Sequence, residues 1–394
     1  MVTHLPPADW LKRRDLARLI EALGPGQARY VGGAVRDTLL GLEVKDVDLA
    51  TPLEPQEVMR RLKEHEIPVV PTGIEHGTVT AAFKGGPVEI TTLRHDVSTD
   101  GRRATVAFAS EWKDDAARRD FTINALYADP ESLEVFDYFG GLDDLAARRL
   151  RFIGDARQRI REDHLRILRY FRFQARFGSQ PADLEAEESC SELAATLKGL
   201  SRERIGMEMM NLLGLANPAP TVARMEQLGI LPVILPEADV AALERLVQHE
   251  QAERAAPDAI RRLAALLPPE PGLAEQVASR FRLSGAQKKR LALAAARTAE
   301  NDGAGNSARA LAYRLGRDAA LDRLLLAGSH TAALEGWEIP VLPLKGGDIV
   351  ARGVKAGPEV ARVLRAVESR WIAEEFPDAE RVGELLDLEL TATA

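Results

Sequence analysis

Residues 32–50 read GGAVRDTLLGLEVKDVDLA, and several kinds of chemistry sit close together in them. Gly32 and Gly33 make a turn in which backbone N–H groups can approach an anion with no Cβ in the way. Arg36 adds a cation on a short helix expected over Ala34–Leu40, and Gly41 is placed to close that helix. Asp46-Val47-Asp48 falls on a strand expected over Lys45–Ala50, where positions two apart project to one face about 6–7 Å from each other. Two divalent ions roughly 4 Å apart can share carboxylates at that spacing. Together these residues could cradle a triphosphate and hold magnesium for transfer of a nucleotide. A lone D-x-D or a lone Gly-Gly is usually a solvated strand end or an ordinary turn, but here both accompany Arg36 in strand, turn, helix, strand order. No G-x-G-x-x-G follows the first strand, so the turn is not a dinucleotide fingerprint.

A two-metal centre calls for a third carboxylate, and Val88-Glu89-Ile90-Thr91-Thr92-Leu93-Arg94 offers Glu89. On a core strand that Glu is costly to bury without a cation; on an edge strand it would sit in water, and both remain open. Arg118-Arg119-Asp120-Phe121-Thr122-Ile123-Asn124 is a second cluster. On a helix over Asp114–Leu126, Asp120 and Asn124 stand one turn apart and could together address ribose hydroxyls, with Arg119 reaching the phosphates. The competing reading is an Asp120 cap with Asn124 in solvent.

A third cluster, Glu162-Asp163-His164-Leu165-Arg166-Ile167-Leu168-Arg169, opens a helical region. At ~100° per residue, Glu162, Arg166, Arg169 and Arg176 share one side, and Ile167, Leu168, Phe171 and Ala175 the other. Glu162 can pair with Arg166 and hold its guanidinium still. Asp163 lies slightly round the helix, so an acceptor and a planar donor fork stand side by side, able to meet the Watson–Crick groups of a base. Ordinary surface salt bridges are the alternative.

Positioning these groups takes a mixed scaffold followed by a helical one. Val69–Val70, Thr78–Phe83, Val88–Leu93 and Thr105–Ala109 have the character of strands, and Pro55–His65 that of a helix. From Ala156 onward Ala, Leu, Arg and Glu dominate, with breaks at Gly178-Ser179, Asn217-Pro218, Ile234–Pro236, Pro268–Pro271 and Asn301–Gly305. At 394 residues the chain exceeds one ordinary core. Divisions are expected near residues 150, 215 and 338.

The single cysteine, Cys190, excludes a disulfide framework and a thiolate metal site. Met1–Asp15 is polar and no apolar run reaches the ~18 residues of a membrane span, so a cytoplasmic location is expected. Net charge is −8, yet seven arginines lie between Asp155 and Arg176, at 157, 159, 161, 166, 169, 172 and 176. A basic strip on an acidic protein points to a confined anion site rather than coating of a long duplex. His95-Asp96 reads as loop, and no H-E-x-x-H, G-x-S-x-G or Walker lysine is present. Lys288-Lys289-Arg290 could touch an RNA backbone.

As an ordered set, GGAVRDTLLG with DVDLAT, EITTLR, RRDFTINAL and EDHLRILRYFRF resembles class II tRNA nucleotidyltransferases, the CCA-adding enzymes and their bacterial poly(A) polymerase relatives. The likeness covers residues 28–177 and extends weakly to Ser201-Arg202-Glu203-Arg204-Ile205. It implies an α+β fold with a polymerase-β-like nucleotidyltransferase head, a mixed sheet with helices, over residues 1–150. An all-α neck (151–215), body (216–338) and tail (339–394) would follow, the neck reading the nucleobase and the tail binding tRNA. It further implies Asp46 and Asp48 as magnesium ligands with Glu89 as third carboxylate, and Gly32, Gly33 and Arg36 at the triphosphate. Arg119, Asp120 and Asn124 would meet sugar and phosphates, and Asp163 and Arg166 the base, with Glu162 orienting Arg166 and Arg169 and Arg172 adding positive charge.

The implied partners are CTP, ATP and the 3′ end of the tRNA acceptor arm, with no membrane involved. In the implied reaction the RNA 3′-hydroxyl attacks the α-phosphorus in line, pyrophosphate leaves, and no template is used. Arg94–Ser110, containing Asp100-Gly101-Arg102-Arg103, stands where the family has a flexible loop associated with switching from C to A. His164 stands where the poly(A) polymerases usually carry proline, which favours CCA addition over poly(A) synthesis. A non-catalytic RNA-binding relative would be expected to lose a metal carboxylate, and a small-molecule nucleotidyltransferase to lack the long helical half. The oligomeric state is left open by the sequence.

Overall fold

Apolar residues at alternate positions of 47–51 and 88–92 make strands with one covered and one open face. Val47, Leu49, Val88 and Ile90 are buried, Asp48 is half-buried and Glu89 is exposed. In the computed structural model, which describes residues 2–99, 104–109, 111–297 and 308–393, these strands form the centre of a seven-stranded sheet. Its members are β1 (Arg29–Val31), β2 (Val47–Thr51), β3 (Val69–Gly73), β4 (Thr78–Ala81), β5 (Val88–Thr92), β8 (Leu126–Ala128) and β9 (Val135–Asp137), ordered β3-β4-β5-β2-β1-β8-β9. β2 and β5 are parallel and the other neighbours antiparallel. β6 (Arg94–Thr99) and β7 (Ala104–Phe108) form a separate hairpin.

Helices α1 (Arg14–Leu23) and α3 (Pro55–Glu64) cover the sheet with Leu16, Leu19, Leu23, Val58 and Leu62, all buried. α2 (Gly33–Leu39) packs on β1, β2 and β8. The remaining elements used below are α4 (Trp112–Ala117), α5 (Gly141–Ala146), α6 (Ala156–Glu162), α7 (Arg166–Phe177), α8 (Leu184–Glu192) and α9 (Arg202–Leu213). After β9 the described chain has no further named strand, as the composition beyond Ala156 predicts. The expected α+β fold, a mixed sheet with helices followed by helical chain, is the one that forms.

By internal packing the chain divides into two units, Met1–Glu208 with Thr221–Ile234, and Met209–Pro220 with Leu235–Ala394. The second is helical, and one of its cores gathers Ile349, Val363, Val367, Trp371 and Leu385. Arg262 is buried there and bonds Glu250 at 2.8 Å and the carbonyl of Leu213 at 2.8 Å. Arg290, expected as a candidate RNA contact, is tied to buried Asp322 at 2.7 Å instead. No helix among the described residues is long and apolar enough to cross a membrane.

Several local expectations change. β2 begins at Val47, not Lys45, because Val47 pairs with Val88 and the next partner outward, Pro87, has no N–H for the ladder. Asp46 therefore lies just outside the strand. The helix expected over 114–126 ends at Ala117, because the following chain is drawn out against residues 151–153. Phe121 bridges Phe152, the Ile153 amide donates to Asp120 at 3.1 Å, and the Thr122 amide to Arg151 at 3.1 Å. Only a 3₁₀ turn, Thr122–Asn124, follows before β8. The helix expected to run through Glu162 is broken at Asp163, whose backbone is extended (φ −149°, ψ 104°), so α6 and α7 are distinct. His95-Asp96 lies in strand β6 rather than a loop, and Asp100-Gly101-Arg102-Arg103 falls outside the described residues.

The 122–124 turn is held from below by the start of α5. A Cβ at Gly141 would stand 2.9 Å from the Thr122 carbonyl carbon and 3.1 Å from a Leu126 methyl. Gly141→Ala is expected to cost about 1–3 kcal/mol, because backbone cannot yield as a side chain can. Gly272→Ala, with nothing within 4 Å, should be neutral or slightly stabilising. Urea unfolding of both variants measures the contrast, and equal midpoints would count against this packing.

Candidate nucleotide and metal site

Parallel pairing sets Asp48 directly beside Glu89, at the starts of β2 and β5. Glu89 is neither of the two cases the sequence left open. It sits on a central strand, between β4 and β2, yet on the solvent-open face. Asp46 is exposed one residue ahead of β2. Burial, then the neighbouring charge of Glu89, push the Asp48 carboxyl up to about 6; Arg119 offsets this and Asp46 adds to it. Three carboxylates thus share one edge, and the most buried of them gives up its proton reluctantly.

The glycine turn faces the same side. Gly32 has φ +67° and ψ −117°, a conformation that needs glycine, and it starts α2. A Cβ there would meet Arg119 Nη1 at 3.5 Å, so a guanidinium lies against the turn. Arg119 follows α4, with Nε donating to the Tyr127 hydroxyl at 3.1 Å and Nη2 to Asp115 at 3.2 Å. This places a cation next to both the amides of the turn and Asp48.

Arg36, expected at the triphosphate, also lies against the turn, with its Nη2 3.7 Å from where a Gly33 Cβ would stand, but its other bonds face inward. It is buried, its Nε bonds Asp37 at 2.7 Å, its Nη1 bonds the Asn124 side-chain oxygen, and it stacks on Phe177 at 4.2 Å. The second cluster does bring Asp120 and Asn124 together, with Asn124 Nδ2 donating to Asp120 at 3.1 Å, but through the 3₁₀ turn and not along a helix. Both are buried, and Asp120 also accepts from its neighbour amide Phe121 at 2.9 Å and from Arg169 at 2.6 and 2.8 Å. These expected ligand contacts are thus inward-facing bonds in the structure. Burial alone would raise the Asp120 carboxyl, but Arg169 and the Asn124 bond outweigh it and bring it down to about 2.

At the α6–α7 junction the geometry matches the spacing. Glu162 holds Arg166 at 2.7 Å, and Arg166 also donates to the carbonyls of Arg159 at 3.0 Å and Arg118 at 2.9 Å. Asp163 accepts from the Leu165 amide at 3.1 Å and from Arg204 of α9 at 2.7 Å. Arg172 pairs with Glu208 at 2.6 Å. Of the seven strip arginines, Arg157, Arg159, Arg166, Arg169, Arg172 and Arg176 pair with carboxylates, so the strip is largely neutralised within the protein.

Asp46, Asp48 and Glu89 are the acids a divalent cation would meet. Asp48 fits that role: burial first and the Glu89 charge second raise its pKa, and a cation beside it would offset both. Among the described residues no three His, Cys, Asp or Glu side chains already close into a cage. Such an open set suits an ion that takes its other ligands from nucleotide phosphates and water.

Sequence reasoning missed Asp115, Tyr127, Glu208 and Asp37, and it named Arg176 and Arg204 without their partners. Asp115 could have been found, since it stands three and four residues before Arg118 and Arg119. Tyr127 carries no local signal, because only tertiary packing brings it to Arg119.

Residues 28–151 match the family model described as the poly A polymerase head domain, and residues 183–242 the one described as the probable RNA and SrmB-binding site of polymerase A. The chain is 33% identical to the mitochondrial CCA tRNA nucleotidyltransferase 1 of Mus musculus over 88% of its own length and 82% of that protein. It is 31% identical to the CCA-adding enzyme of Limosilactobacillus fermentum over 96% and 98%. The crystal structure of the Bacillus stearothermophilus CCA-adding enzyme in complex with CTP superposes with TM-score 0.71 at 28% identity, covering 95% and 97%. The Thermotoga maritima enzyme complexed with tRNA shares the fold at TM-score 0.72 and 22% identity, covering both chains fully.

Removing Arg169 would strand Asp120 in the interior, so Arg169→Ala is expected to cost about 3 kcal/mol. Because the folded Asp120 carboxyl titrates near 2 rather than 3.8, its stabilisation is complete above the unfolded value and fades as pH falls toward about 2. Urea unfolding from pH 5 to pH 2 should show a shallower acid loss in Asp120→Asn than in the wild type; identical slopes would remove the pair from this account.

Proposed function

The chain belongs to the family of CCA-adding tRNA nucleotidyltransferases, and from that premise we propose that it builds the 3′-terminal CCA of tRNA from CTP and ATP. The observation that carries this reading is the carboxylate edge, Asp48 in register with Glu89 and with Asp46 ahead of it, beside a glycine turn backed by Arg119.

In this reading Asp46 and Asp48 hold magnesium, with Glu89 as the third carboxylate. Once bound, the metal supplies positive charge for the attacking hydroxyl and the departing phosphates. The amides of Gly32 and Gly33 and the Arg119 guanidinium receive the triphosphate. The RNA 3′-hydroxyl oxygen bonds to the α-phosphorus, the bond from that phosphorus to the bridging oxygen breaks, pyrophosphate leaves, and the hydroxyl proton passes to water. Asp163 and Arg166 present an acceptor and a donor fork to the base, held by Arg204 and Glu162. Arg36, Asp120, Asn124 and Arg169 act beneath the site, fixing the turn and the helix that carries the base-reading pair. Helical residues 216–394, with no catalytic motif of their own, take the acceptor arm.

Incubation with a tRNA ending before its CCA, magnesium and labelled CTP and ATP tests the proposal. Two C and then one A should be added. Long tails from ATP alone would assign poly(A) synthesis, the reading that the head-domain description keeps in play, and no incorporation would reject both. Asp46→Ala should lower transfer on the order of a thousandfold, the several kcal/mol that metal charge supplies. Its tRNA binding should be nearly unchanged, and loss of binding would contradict the assigned role.

A further inference from the structure

Arg119 is held by two of its three nitrogens and aimed by the third. Tyr127 is wholly buried, and its hydroxyl accepts from Arg119 Nε at 3.1 Å while donating to Asp115 Oδ2 at 2.6 Å. The same Asp115 oxygen accepts from Arg119 Nη2 at 3.2 Å, closing a three-membered ring of hydrogen bonds. Asp115 is 1% exposed, and its other oxygen is taken by Arg118 at 2.9 Å and the Arg94 amide at 3.4 Å. Trp112 and Tyr138 pack edge-on against Tyr127 with ring centroids 5.9 and 6.0 Å away, so the hydroxyl is fixed in place. Neither anchor uses Nη1. That nitrogen lies 3.5 Å from where a Gly32 Cβ would be, with no side chain between it and the turn.

We infer that Asp115 and Tyr127 are positioning residues that aim Arg119 Nη1 at the Gly32–Gly33 turn, where it grips the triphosphate of the incoming nucleotide. This rests on the proposed nucleotidyl transfer and deepens it. Arg118 alone would suffice to neutralise Asp115 if stability were the whole purpose. The second arginine and the tyrosine make sense as a pre-set fork. A free arginine loses rotamer freedom when it meets a phosphate, whereas one already anchored through Nε and Nη2 has lost it beforehand. The three-way bond also fixes protons: the tyrosine hydroxyl must donate to the carboxylate, so its lone pair faces Arg119 and holds the guanidinium plane. Burial would raise the Asp115 carboxyl, but Arg119, Arg118 and the Tyr127 bond bring it to about 2, so it stays charged at working pH.

Equilibrium binding of CTP and of CMP, with magnesium, tests this on wild type, Tyr127→Phe, Asp115→Asn, Arg119→Gln and the double variant Arg119→Gln/Tyr127→Phe. Tyr127→Phe and Asp115→Asn should weaken CTP about tenfold and leave CMP unchanged, since only the triphosphate reaches the fork. In turnover this should appear as a raised KM for CTP with kcat within about twofold. With Arg119→Gln already present, Tyr127→Phe should add nothing, a result that a purely structural role would not give. Unchanged CTP binding in Tyr127→Phe, or equal weakening of CTP and CMP, would overturn the inference while leaving the transfer reading standing. If Tyr127→Phe fails to fold, Asp115→Asn decides by the same ratio. A wild type that binds CTP no better than CMP would overturn the transfer reading, and this inference with it.

Discussion

A charge cannot be buried without a partner, and one chain of partners ties the helix begun by the glycine turn to α7. It runs from Arg169 to Asp120, from Asp120 to Asn124, from Asn124 to Arg36, from Arg36 to Asp37, and from Asp37 to Arg176. Its two ends leave the same helix, α7, seven residues apart and so on one face. Its middle holds α2, which the glycine turn begins, and the 3₁₀ turn that precedes β8. Phe173 and Phe177 lie under the Arg36 guanidinium and keep water from the chain. Each link is needed because its neighbours are buried; an isolated loss would leave a charge or amide unsatisfied. The position of α7 relative to the glycine turn follows from this chain.

The carboxylate edge is built on the opposite principle. Where the inner chain gives every charge a partner, the edge leaves three acids under-compensated at the open side of the sheet. Burial, and after it the Glu89 charge, raise the Asp48 pKa, with Arg119 as the cation that partly offsets them. The proposed uptake of metal and polyphosphate requires such an imbalance, because a fully paired carboxylate would have no affinity left to offer. Satisfied polar groups beneath and unsatisfied ones above let the same sheet be stable and reactive.

Much of this was legible from residue types and short spacings, for identifiable reasons. That Asp48 and Glu89 sit on strands is legible because a flanking apolar run is a local property of a strand, whereas Asp46 lies just ahead of β2. The Glu162–Arg166 pair was found because four-residue spacing survived the helix break between them. Asp120 and Asn124 were read as neighbours correctly but for the wrong reason: a 3₁₀ turn joins them, since pairing with residues 151–153 outcompetes the local helix pattern. The inward bonds of Arg36 carry no sequence signal, because its partners Phe177 and Asn124 are distant in sequence. The basic strip reads from the sequence as a confined anion site, but in the structure its arginines pair with Glu162 and with Asp37, Asp120, Glu192 and Glu208, which are distant in sequence.

That last difference bears on how an acidic protein can handle a polyanion. If the strip were unpaired, it would attract phosphate along the whole of α7 and compete with the catalytic edge for the nucleotide. Paired inward, its arginines set position instead of potential. The fixed positive character beside the acids then comes from Arg119 and from amides at the start of α2, both directed at one place. The Glu162–Arg166 and Arg204–Asp163 pairs keep a donor fork and an acceptor in a fixed relation without leaving a strong net field around them. Discrimination between bases by hydrogen-bond pattern depends on that quiet background, because a strong field binds any nucleotide and rewards the phosphate more than the base. A confined positive corner beside the acids and a neutralised α6–α7 junction are therefore two consequences of one arrangement of arginines.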